Sequence, residues 1–207
     1  MIDLTGQVAL VTGASRGIGK AVALQLAAAG ADIVLNFAKS RSIADDAAGE
    51  IAGLGRRVAE VQADVSEPDD VAAMLDWIGT TFGRLDIVVS GVSMTSPQSA
   101  LGSSPDDFLS AITSDARSLL LLAQAARPLL SRSGAGKVIA VSRAANGSTH
   151  AAVQQLADEL HADGIQVNAV HAAGDDVAGT VLYLASPLCC GVTGQSLIVA
   201  DAAAVQV

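Results

Sequence analysis

Short apolar runs alternate with longer segments whose apolar positions recur at helical spacing, from one end of the chain to the other. The runs Val8–Thr12, Asp32–Phe37, Val58–Gln62, Leu85–Ser90, Lys137–Ser142, Ile165–Val170 and Ser196–Val199 read as strands. Helices fit between them at Gly17–Ala29, Ile43–Leu54, Asp69–Phe82, Pro105–Leu130, Ala151–Ala162 and Asp175–Ala185. Gly30, Gly55, Gly83 and Gly164 follow their helices as stop signals. Ser104, ahead of Pro105-Asp106-Asp107, reads as an N-cap, and Ser66 ahead of Pro68 is expected to do the same job. The strands are continuously apolar rather than alternating, the mark of strands covered on both faces. Serial β–α units of this kind predict an α/β fold: a single doubly wound parallel sheet of about seven strands with helices on both faces. No linker, low-complexity tract or long-period repeat interrupts the pattern, so residues 1–207 are expected to form one domain.

Composition narrows the partners. The chain is 51% hydrophobic but only 2% aromatic, so its core must be packed from Ala, Val, Leu and Ile. A net charge of −9 makes it a poor ligand for polyanions, which excludes nucleic acid and anionic membrane as main partners. No apolar run reaches the ~18 residues of a membrane span, and no signal segment precedes the first strand, so a cytoplasmic protein is expected. Cys189 and Cys190 are adjacent and lack metal-ligand spacing; they read as two reduced thiols in a buried or interfacial turn, and no metal is expected.

The chemistry begins at Thr12-Gly13-Ala14-Ser15-Arg16-Gly17-Ile18-Gly19, between the first strand and the first helix. Glycines there let the backbone turn tightly and approach a pyrophosphate, and the helix N-terminus offers unpaired N–H groups. The spacing T-G-x-x-x-G-x-G resembles that of the short-chain dehydrogenase/reductase family, a Rossmann-type family. Further segments carry the same resemblance: Ala63-Asp64-Val65, "GRLDIVVS", "GIQVNAV" and "DVAGTVLYLAS…VTGQSLIV". The resemblance implies that Gly13, Ser15, Arg16, Gly17, Ile18 and Gly19 cradle the nucleotide, and that Asp64, next to Val65, contacts the adenine. The second strand ends on Phe37 where an NAD-preferring protein places an acid on the ribose hydroxyls. Arg16, Lys39, Ser40 and Arg41 are placed instead to hold a 2′-phosphate, so NADP(H) is expected over NAD(H).

The family's catalytic set is an Asn on the fourth helix, a Ser after the fifth strand, and a Tyr-x-x-x-Lys on the fifth helix. In this chain Asp115 falls at the Asn position and Arg143 at the Ser position, with Ser142 one residue early and so turned to the other face. The family's Asn-Asn-Ala-Gly tract reads Ser90-Gly91-Val92-Ser93. The Tyr is absent; the only tyrosine, Tyr183, lies on the last helix and reads as core. Asn146 and His150 stand at the spacing of the missing pair, and a histidine can in principle shuttle a proton. The mobile substrate segment that usually follows the sixth strand is also missing, since "VHAAGDDVAG" runs straight into the last helix.

Three functions fit. One is a homologue with an intact NADP(H) half-site and little or no activity, acting as a partner subunit or binding module. Another is an NADPH-dependent ketoacyl-type carbonyl reductase whose catalytic and lid segments are missing from this sequence. The third is a non-redox enzyme reusing the cleft through Asp115, Ser142, Arg143 or His150. The apolar run Leu119–Leu122 covers every side of a helix turn, and the C-terminal "SLIVADAAAVQV" is strand-like. Both predict an interface: a homodimer or tetramer, or a hetero-oligomer with a complete member of the family.

Overall fold

The computed structural model describes residues 2–91, 102, 104–142, 147–173 and 176–200. Seven strands form one sheet: β1 (Val8–Val11), β2 (Asp32–Phe37), β3 (Val58–Gln62), β4 (Ile87–Ser90), β5 (Lys137–Ser142), β6 (Gln166–Ala173) and β7 (Ser196–Ala200). The helices are α1 (Gly17–Ala28), α2 (Arg41–Gly53), α3 (Pro68–Phe82), α4 (Pro105–Ser133), α5 (Gly147–Leu160) and α6 (Val177–Ala185). Two short 3-10 turns, His161–Asp163 and Pro187–Cys189, complete the order. The sheet is parallel throughout, with strand order β3-β2-β1-β4-β5-β6-β7. The chain winds outward from β1 to β3, then returns to lie beside β1 as β4. That reversal opens a crevice at the carboxyl ends of β1 and β4, where doubly wound sheets bind ligands.

Alternation along the strands sorts the core into two layers. Leu10, Val88, Val138, Ala140, Val167 and Ala169 pack beneath α3, α4 and α5. Ala9, Val11, Ile87, Val89, Ile139, Val141 and Val170 pack beneath α1, α2 and α6. Small side chains let the helices approach closely, which is how a core nearly free of aromatics is filled. By the same alternation, Ser142 and His171 belong to the face covered by α4 and α5.

Most boundaries fall within two residues of those read from the pattern. Gly83 ends α3 in the left-handed conformation, as expected. Ser104 accepts the N–H of Asp107 at 3.1 Å and caps α4. Ser66 does not cap α3: its hydroxyl donates to Asp64 Oδ1 at 2.7 Å, and the N-cap position is Glu67. The nearer carboxylate captured the hydroxyl. Two larger differences bear on function. Helix α5 begins at Gly147, four residues before the expected Ala151, because Thr149 is buried and extends the helix's inner face by a turn. Strand β6 continues past Val170 to Ala173, pairing Ser142 with His171 and Ala173 with Ala200.

In the leucine run of α4, Leu119 and Leu122 are buried, Leu121 is half-buried and Leu120 is 41% exposed. Tyr183 is also exposed, at 43%, which corrects its reading as core. The short α6 presents its inner face through Val177, Val181 and Leu184, one turn apart, and Tyr183 falls outside that stripe. Cys189 is buried and Cys190 exposed, and both are free thiols.

Candidate nucleotide-binding site

The glycine turn joins β1 to α1 at the carboxyl edge of the sheet. Gly13 and Gly17 hold positive φ, 63° and 57°, where an L side chain is strained. At Gly19 the constraint is space, since a Cβ would sit 2.4 Å from the Gly13 carbonyl oxygen. Helix α1 begins after Arg16, whose side chain makes no cap hydrogen bond to the first N–H groups of the helix. Ser15 and Ile18 are half-buried, and Arg16 is exposed. Gly-lined turn, uncapped helix start and exposed cation together fit an anionic pyrophosphate.

Asn36, buried near the end of β2, holds this wall together. Its backbone carbonyl accepts the Ala14 N–H at 3.2 Å, tying the glycine turn to β2. Its side-chain amide donates to the carbonyls of Val61 and Ala63 at 3.3 and 3.0 Å, fixing the loop after β3. That loop presents Asp64, which is exposed, and Val65, which is half-buried. Asp64 Oδ1 accepts both the hydroxyl and the N–H of Ser66, and these bonds hold its carboxyl below the usual carboxylate range, the hydroxyl most of all. The Asp64 N–H in turn donates to Asp70 at 2.8 Å. The second carboxylate oxygen is outside these bonds.

Phe37 is only 2% exposed, and the Arg41 guanidinium lies 6.0 Å from its ring centroid. Its ring therefore underlies the basic loop that follows β2. Lys39 and Arg41 are exposed and Ser40 is half-buried at the mouth of the crevice.

The opposite wall begins at Gly91. Its N–H donates to Thr12 Oγ1 at 2.7 Å, and a Cβ there would lie 1.8 Å from the Thr12 carbonyl oxygen. The ends of β1 and β4 meet so closely that only glycine fits. Val92 and Ser93 lie outside the described residues.

At the ends of β5 and β6, Ser142 Oγ and His171 Nδ1 are hydrogen-bonded at 2.7 Å, with both residues at most 3% exposed. The sequence pattern ended this strand at Val170; the signal for His171 was the continued alternation Val167, Ala169, His171 on one face. Ser142 does face the α4–α5 side, but its hydroxyl is taken up by this histidine. His150 does not join the pair: its Nδ1 bonds Ser196 Oγ at 2.9 Å, at the start of β7. Asp115 lies half-buried on α4. Arg143 and Asn146 lie outside the described residues.

Comparison with known proteins agrees with this geometry. The profile of the short chain dehydrogenase family matches residues 7–180. A 3-oxoacyl-[acyl-carrier-protein] reductase of Synechocystis sp. is 30% identical, with 95% of this chain and 96% of the relative covered. Their alignment spans 237 positions, more than the 207 residues of this chain, so the relative carries internal residues with no counterpart here. Among solved structures, a short-chain type dehydrogenase/reductase from Mycobacterium marinum superposes with a TM-score of 0.88 at 28% identity, over 99% of this chain and 97% of the other. A carveol dehydrogenase from Mycobacterium avium, solved in complex with NAD, shares the fold with a TM-score of 0.85 at 22% identity, and both chains are covered in full. Among the described residues, no helix is long and apolar enough to cross a membrane.

Proposed function

The chain belongs to the short chain dehydrogenase family, and from that premise we propose that it binds a nicotinamide dinucleotide while having lost most or all carbonyl reduction. The observation that carries this reading is α5. The helix opens five residues after β5, and its sequence, Gly147 to Leu160, contains neither tyrosine nor lysine. Without a phenol held beside an ammonium, the family's donor of the proton that must accompany hydride transfer is missing from this helix. The adenosine wall, by contrast, keeps every part that binding needs. Gly13, Ser15, Gly17, Ile18 and Gly19 cradle the pyrophosphate, and Asp64 with Val65 borders the adenine. NADP(H) is preferred, because β2 ends without an acid and Arg16, Lys39, Ser40 and Arg41 surround the place of a 2′-phosphate. Titration calorimetry tests this. NADPH and NADP⁺ are expected to bind more tightly than NADH and NAD⁺, and absence of binding by all four refutes the reading.

The role that remains is that of a partner subunit. Leu120 on α4 and Ile198 on the edge strand β7, 41% and 66% exposed, support an interface with a second copy or with a complete family member. Light scattering is expected to give a dimer or larger; a monomer at tens of micromolar contradicts self-association.

The Ser142–His171 bond favours a second reading, residual reduction. There the serine polarises a carbonyl and the histidine supplies the proton. Turnover of NADPH with a ketoacyl substrate that vanishes in His171→Phe would establish it.

A further inference from the structure

A second cavity, of about 380 Å³, lies at the amino-terminal edge of the sheet, opposite the crevice. Its walls come from the starts of β4, β5 and β6, the turn after α4 and the segment after α6. The charges in it do not balance. Asp86, 5% exposed, accepts the Arg84 guanidinium through both oxygens, at 2.9 and 2.8 Å, and takes the Val8 N–H at 2.8 Å. The Arg84–Asp86 pair is therefore neutral, and Arg84 keeps N–H donors beyond the two that Asp86 accepts. Lys137 remains, 6% exposed, and among the described residues it enters no ion pair.

The Lys137 ammonium donates to Gln166 Oε1. That amide is locked the other way round by its Nε2, which donates to the carbonyls of Cys189 and Val192 at 3.2 and 3.1 Å. Gln166 thus offers Lys137 an acceptor and no charge. An ammonium has three donors, so one neutral acceptor leaves most of its hydrogen-bonding capacity turned toward the cavity. Burying a cation without a counter-charge is unfavourable, and a bound anion removes that penalty. Burial also pushes the Lys137 pKa below its ordinary value, with the Cys189 and Cys190 thiols pulling weakly the other way.

We infer that this cavity is a binding site for a small oxyanion, a carboxylate or a phosphate, held by Lys137 with Arg84 at the rim. The volume exceeds what a halide fills and suits an organic acid of a few carbons. The site is separate from the dinucleotide crevice and does not rest on the proposed function.

The test is an NMR titration of the purified protein with acetate, citrate and inorganic phosphate, against chloride at matched ionic strength. The amide signals of Gly134, Gly164 and Gly191, which line the cavity, are expected to move saturably, with a dissociation constant on the order of 1 mM. Lys137→Met should weaken this at least about tenfold while leaving nucleotide binding unchanged. If that variant fails to fold, Lys137→Gln serves, and the wild-type titration stands by itself. A better response to citrate and acetate identifies a carboxylate, and a better response to phosphate identifies a phosphate. No saturable shift with any of the three, or equal binding by the Lys137 variants, overturns the inference.

Discussion

The two walls of the crevice have been treated differently. The wall from β1 through β3 is built of backbone: glycines in a tight turn, a helix start without an N-cap side-chain bond, and carbonyls clasped by Asn36. The wall from β4 through β6 should supply chemistry through side chains, and there the proposal holds that the family's residues are replaced. Ser142 is bonded to His171, α5 starts without a tyrosine, and Asp115 stands where a neutral amide is expected. Binding a pyrophosphate needs only N–H groups and room, which a fold preserves in order to stay folded. Catalysis needs particular side chains that the fold can lose at little cost.

That contrast can be broken where the walls meet. Gly91→Ala should have the largest effect, about 3 kcal/mol of destabilisation in a urea melt, because the new Cβ meets the rigid Thr12 carbonyl. Nucleotide binding should fall with it. Next comes Asn36→Ala, which strands the buried Ala63 carbonyl and the half-buried Val61 carbonyl and should cost about 2 kcal/mol. It should also weaken NADPH binding, because the Asp64 loop loses the side-chain amide that fixes it, while the backbone bond from position 36 to the glycine turn remains. Ser142→Ala on the other wall should cost only about 1 kcal/mol and leave NADPH affinity unchanged. Equal losses of affinity in the two variants would show that the walls are not independent.

The smallest effect concerns pH. Asp64 titrates below its ordinary value in the folded chain, so its contribution to stability is present above the unfolded-state pKa, about 3.9, and is lost as pH falls through the folded value. Ser66→Ala removes the hydroxyl bond that depresses it most. The Asp64 carboxyl resonance should then titrate at higher pH, and an unchanged titration would mean that the turn N–H alone sets it.

The sheet was legible because each strand and helix announces itself locally, by a run of apolar residues and a capping or stopping residue. The glycine turn was legible for the same reason: its mechanism lies within eight consecutive residues. Asn36, Gly91 and His171 were not, because each acts on a strand far away in sequence. Asn36 reaches the end of β3, Gly91 abuts β1, and His171 meets Ser142 only because β6 runs on beside β5. Ser66 reads as a cap until the competing carboxylate of Asp64 is seen beside it.

The central claim, that nucleotide binding outlived carbonyl reduction, is tested most directly by following NADPH fluorescence on mixing with the protein and then with a ketoacyl thioester. The account predicts an enhanced signal that saturates with protein and then stays constant after the thioester is added. A decay of that signal at the 1–10³ per second of ordinary enzymes, abolished by omitting the thioester, would contradict it.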